Sequence, residues 1–95
     1  MLRFIAVHPV AFSEEQLRPL TLEQLPQGVT WHSTFCAFAD DRSFCHWNAP
    51  TKQTLLDLFA KYGVPYEAVY EVRLFDPATG QLEAQPTADK VAEAV

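Results

Sequence analysis

Trp31-His32-Ser33-Thr34-Phe35-Cys36-Ala37-Phe38-Ala39-Asp40-Asp41-Arg42-Ser43-Phe44-Cys45-His46-Trp47-Asn48-Ala49-Pro50 is the stretch on which the reading of this chain turns. Two runs rich in β-formers flank a polar turn centred on Ala39-Asp40-Asp41-Arg42, so the segment reads as a β-hairpin. It carries both cysteines, both tryptophans and two of the three histidines of the chain. An aromatic hairpin of this kind belongs in the middle of a sheet, and any chemistry is expected on it.

Working outward, Leu2 to His8 is a short apolar run closed by Pro9 and reads as a central strand. Ser13-Glu14-Glu15-Gln16 is a capping box that opens a helix. Pro19 interrupts that helix, because it has no N–H to donate and its ring crowds the preceding turn. Thr21-Leu22-Glu23-Gln24 offers a second capping box before Pro26-Gln27-Gly28. Val29 to Phe38 and Ser43 to Asn48 are the hairpin strands. Pro50 and Thr51 compete for the start of the next helix, whose apolar face is Leu55, Leu56, Leu58, Phe59 and Tyr62. Gly63 closes it and Val64-Pro65 stops it. Ala68 to Phe75 alternates as a fourth strand, with Tyr70, Val72 and Leu74 on one side and Val69, Glu71, Arg73 and Phe75 on the other. Asp76 to Gly80 is a turn. The remainder, Gln81 to Val95, is polar and peripheral, with Thr87 placed to cap a last helix. One domain over residues 1–76 and a C-terminal tail over 77–95 follow.

The order β-α-β-β-α-β predicts an α+β, ferredoxin-like sandwich with a four-stranded antiparallel sheet of order 4-1-3-2. Both helices cover one face and the other stays open. An open face bearing aromatic residues is a dimer interface or a pocket wall. At 95 residues a chain buries only about 60–65% of its unfolded surface, so a homodimer is expected.

Charge narrows the partners. A net charge of −5 with seven scattered basic residues argues against nucleic acid, which needs clustered Lys and Arg. No apolar run reaches the roughly 18 residues that span a bilayer, and no signal peptide is evident. A cytoplasmic protein with reduced thiols and no membrane partner is the expectation.

The cysteines and histidines are the candidate metal ligands: Cys36, Cys45, His46 and His8. A two- or four-residue loop centred on Asp40-Asp41 sets Cys36 opposite Cys45, as free, reduced neighbours; a three-residue loop sets Cys36 opposite His46. Cys45 and His46 are adjacent and so point to opposite faces. His32 shares a face with Cys36 but lies four residues away, about 13 Å at strand rise. His8 falls near the same end of the sheet. The alternative is plainer: the cysteines are small core residues, His8 caps a strand end, and His32 and His46 lie on the sheet surface. Glu71 and Arg73 form either an anion site or a surface ion pair. No nucleophile elbow, Cys-x-x-Cys, phosphate loop or His-Glu-x-x-His occurs, so enzyme chemistry is not favoured.

The run Trp31…Phe35-Cys36…Asp41…Phe44-Cys45-His46-Trp47-Asn48-Ala49-Pro50, with Val64-Pro65 and Tyr70-Glu71-Val72-Arg73, resembles a group of small bacterial domains of unknown function. That group includes nickel-binding proteins with a ferredoxin-like fold that dimerise. The resemblance spans about residues 2–76 and implies a small dimeric binding protein taking nickel, or zinc, or a small-molecule ligand, at the open face. The chain departs from the group's pattern at Val7, Ser33 and Phe35, where relatives often carry an acidic residue, a histidine and a tyrosine. Two other readings stand beside it: a cofactor-free enzyme of the dimeric α+β barrel type, with Trp31, Phe35, Phe44 and His46 lining its pocket, and a pure dimerisation module.

Overall fold

A computed structural model describes residues 1–84. The expected helix cap at Thr87 lies outside the described residues. Four strands make the main sheet: β1 (Leu2–His8), β2 (Thr30–Ala37), β3 (Arg42–Ala49) and β4 (Ala68–Val72). Their order is β2-β3-β1-β4 and every pairing is antiparallel. That is the expected order, read from the other edge.

The helix α1 (Glu14–Leu17) has the capping box: Ser13 N–H donates to Gln16 Oε1 at 2.8 Å, and Gln16 N–H to Ser13 Oγ at 3.1 Å. Pro19 ends it, and the chain tightens into a 3-10 turn over Arg18–Leu22. The second capping box does not form. Thr21 Oγ1 instead donates back to the Arg18 carbonyl at 2.7 Å, the local alternative open to a hydroxyl in a turn. The helix α2 (Lys52–Tyr62) starts at Thr51, whose Oγ1 accepts the Thr54 N–H at 3.1 Å. Pro50 stands just before the cap. Gly63 ends the helix at φ 65°, a left-handed conformation that glycine adopts at no steric cost.

The core lies between the sheet and α2. Phe4, Ala6, Cys45, Trp47, Ala49 and Val69 from the sheet meet Leu55, Leu58 and Phe59 from the helix. Nothing in α1 or the 3-10 turn is buried, so that segment is a loose flank of the core.

Two further features differ from expectation, and both matter for the site. The fourth strand stops at Val72. Beyond it β5 (Phe75–Asp76) pairs with β6 (Gln81–Leu82) in a small separate hairpin. That hairpin returns Glu83 toward β1, where it meets Arg3.

The β2–β3 hairpin is also displaced. Its loop is Phe38–Asp41, one residue earlier than expected, and Ala37 pairs with Arg42. The reason is Asp41, which takes φ 53° and anchors its side chain on Ala11, whose N–H donates to Oδ1 at 2.9 Å. Asp tolerates the left-handed region better than most residues. Cys36 therefore stands opposite Ser43, and Cys45 opposite Thr34. The two cysteines are free but not directly paired, and Cys36 is not opposite His46. They lie on the same face, two residues apart in register.

Candidate functional site

A β-bulge between Trp31 and Ser33 rearranges the faces of β2. Without it His32 would share the helix-covered face with Thr34 and Cys36. The extra residue lets His32 join the open face beside Ser33, and its ring stacks on His46 at a centroid distance of 4.4 Å and 29°. No glycine or proline marks this bulge, so alternation along β2 alone assigns His32 to the wrong side.

Around the two imidazoles the open face holds a connected polar group. Asn48 Nδ2 donates to the Leu2 carbonyl at 3.1 Å, which leaves its Oδ1 to accept from His32 Nε2. On the other side Arg3 donates to His46 Nε2. A guanidinium has no lone pair to offer, so His46 Nε2 is the acceptor and the neutral ring carries its proton on Nδ1. Arg3 is itself clamped by Glu83, with Nε to Oε1 and Nη2 to Oε2 each at 2.8 Å.

Charge states follow from these contacts. The Arg3 hydrogen bonds, then the Leu74 N–H, bring the Glu83 carboxyl down to about 2. Burial comes first in lowering the His46 pKa, followed by the positive charge of His32 and of Arg3. With its pKa lowered in this way, His46 is a neutral base at neutral pH. Its lone pair is held by Arg3.

Aromatic side chains surround this group. On the open face Phe35 is 66% exposed, Tyr70 57% and Phe44 36%, with Ile5 and Val7 half-buried beside them. Val7, Ser33 and Phe35, where the chain departs from the resembling group, all fall on this face by register, against Phe44 and His46.

The four residues expected as ligands divide between the two faces. His46 is on the open face. His8, Cys36 and Cys45 are on the helix-covered face. His8 is 1% exposed and its Nδ1–H donates to the Pro65 carbonyl at 2.7 Å. Cys45 Sγ lies 2.9 Å from Thr34 Oγ1, and burial pushes its thiol up to about 11. Among the described residues no three His, Cys, Asp or Glu side chains are grouped to hold a metal ion. Glu71 is exposed, and the carboxylate that pairs with an arginine near it is Glu83, with Arg3.

The model of the nickel responsive protein SCO4226-like family matches residues 9–72. The chain belongs to this family. No curated protein and no solved structure matches it. The matched segment contains β2, β3, the bulge and both open-face histidines. Arg3 and Glu83 lie outside it. No helix among the described residues is long and apolar enough to cross a membrane.

Proposed function

We propose that this member of the SCO4226-like family is a small homodimeric, ferredoxin-like nickel-binding protein. Its metal half-site is the His32–His46 pair on the open sheet face. The stacked imidazoles carry the proposal: they are the one place among the described residues where two nitrogen donors meet. Imidazole suits nickel(II), which favours tetragonal nitrogen and oxygen sets.

Two donors fit the group only in part, since a closed site takes four or more ligands. A second copy supplies the rest. Two-fold symmetry pairs a patch with itself, so an axis near His46 brings two further imidazoles to the ion. The exposed Phe35, Phe44 and Tyr70 around the pair are the apolar surface such a dimer would cover. When bound, the metal would supply a Lewis-acidic centre or serve simply as the sensed ion. Arg3 opposes loading, because its guanidinium holds the His46 lone pair and Glu83 holds Arg3.

The test uses untagged protein, titrated calorimetrically with nickel(II) and weighed by light scattering. A dimer that takes up nickel, and a His32→Ala/His46→Ala variant that stays dimeric and does not, are expected. Undiminished uptake by that variant, or a monomer at high micromolar concentration, would overturn the reading.

A further inference from the structure

Between His46 and Glu83 on the open face stands a cation that the chain supplies itself. Arg3 gives its Nη1–H to the His46 Nε2 lone pair and its Nη2–H to Glu83 Oε2 at 2.8 Å. Its Nε–H goes to Glu83 Oε1, also at 2.8 Å. Among the described residues Arg3 is the one hydrogen-bond partner of His46 Nε2 and of Glu83 Oε2. An imidazole nitrogen and a carboxylate oxygen are also the lone pairs that ligate a divalent transition metal.

The carboxylate does not depend on Arg3 for its place. Glu83 N–H donates to the Leu74 carbonyl at 2.7 Å, and Leu74 N–H donates to Glu83 Oε1 at 3.1 Å. This reciprocal clamp closes the base of the β5–β6 hairpin. Withdrawal of Arg3 leaves Oε1 partnered and Oε2 bare, beside a His46 ring fixed by its stack on His32. The guanidinium has somewhere to go. Arg3 is outside the core, and it adjoins a recess of about 80 Å³ lined also by Leu2, Val72 and Glu83.

We infer that Glu83 is a third metal ligand from the same copy, and that Arg3 is a resident cation which the ion displaces. This rests on the histidine reading above and deepens it. Loading exchanges one cation for another. The guanidinium leaves with its charge, the ion takes the lone pairs of His46 Nε2 and Glu83 Oε2, and no proton moves at either atom. The ion is smaller than a guanidinium, and rotation of the Glu83 side chain brings the oxygen in. With His32, each copy then offers two imidazoles and one carboxylate, a mixed nitrogen and oxygen set of the kind nickel(II) accepts. Arg3 and Glu83 both lie outside residues 9–72, so the family match assigns them no role.

Calorimetry with nickel(II) on three forms of the full chain separates a ligand from a mere partner of Arg3. The forms are the unaltered protein, Arg3→Met and Arg3→Met/Glu83→Gln. In the Arg3→Met background Glu83 has no Arg3 to hold, so its carboxylate acts on the ion alone. The amide oxygen introduced by Glu83→Gln still accepts the Leu74 N–H, and neither substituted side chain belongs to the core, so both variants should fold. The double variant is expected to bind at least about tenfold more weakly than Arg3→Met, since even partners outside the ligand set typically cost that much. The loss should persist at about 1 M salt, where a through-space charge effect is screened within about 3 Å. Equal affinity of the two variants, or a loss that vanishes in salt, would overturn the inference and leave the histidine pair standing. Weaker binding by Arg3→Met than by the unaltered protein would also overturn it. No nickel uptake by either of these two forms would overturn both readings.

Discussion

The two faces of one sheet are built from alternating residues of the same strands, yet they obey different chemistry. The buried part of the covered face is neutral. Its polar groups, His8, Ser43 and Cys45, are buried, uncharged and tied to backbone or hydroxyl partners. The open face carries Arg3 and Glu83 as a charged pair, two stacked imidazoles and a rim of exposed rings. Burial in a low-dielectric core penalises charge, whereas a half-solvated face tolerates it. Donors that can meet an ion are thus on one side, and polar groups committed to hydrogen bonds within the core are on the other.

The largest expected effect is on stability and separates the faces at once. Leu55 is fully buried, so Leu55→Ala should cost about 2–5 kcal/mol in denaturant unfolding. Phe35→Ala, at a site 66% exposed, should cost little of the monomer's stability and act on association instead. Comparable losses from both, in a protein shown to be monomeric, would mean the open face is packed in a way that register does not reveal.

A smaller effect should appear with pH on the covered side. Burial lowers the His8 pKa below its ordinary 6.5. Between the folded value and 6.5 the unfolded chain binds the extra proton, so stability is full above about 6.5 and falls as the solution is acidified through that window. One proton bounds the slope at about 1.4 kcal/mol per pH unit. His8→Asn keeps an N–H for the Pro65 carbonyl and cannot titrate, and its stability curve should be flatter over the same range. An unchanged slope would assign the acid sensitivity elsewhere.

On the open side the corresponding change is in affinity. Arg3→Met removes the donor on His46 Nε2, and a charge-assisted hydrogen bond of ordinary strength corresponds to about tenfold. Nickel should bind about tenfold more tightly to this variant. Weaker binding would mean that Arg3 positions the imidazole and does not compete for it.

Much of this contrast is legible in the sequence, but unevenly. The capping box at Ser13, the Thr51–Gly63 helix and the strand order rest on short-range signals: a hydroxyl three residues from an amide, apolar residues at helical spacing, a glycine at a left-handed turn. The site rests on signals of another kind. His32 reaches the open face through a bulge with no glycine or proline to announce it. Asp41 shifts the hairpin by anchoring on Ala11, thirty residues earlier in sequence. Glu83, in a segment that reads as peripheral, meets Arg3 across 80 residues. Each depends on a contact between distant parts of the chain, which periodicity cannot encode.

The smallest expected effect sharpens the comparison most. Cysteine sulfur is a natural ligand for a soft ion, and the expected hairpin register sets Cys36 opposite Cys45 or His46, which makes both cysteines candidate ligands beside His46 and His8. A metal needs the thiolate. Cys45 is 4% exposed, its sulfur sits on the Thr34 hydroxyl, and its thiol is pushed up to about 11, so at neutral pH it is a protonated core group. The sheet itself lies between it and His46. Replacing both cysteines with alanine should therefore lower stability, by about 1 kcal/mol or more for the buried one, and leave nickel affinity unchanged in calorimetry. The two outcomes separate the faces: a metal held by the imidazoles does not register a change behind the sheet. Loss of tight nickel uptake in a folded, dimeric double variant would move the ion to the covered face and join the sites that this structure keeps apart.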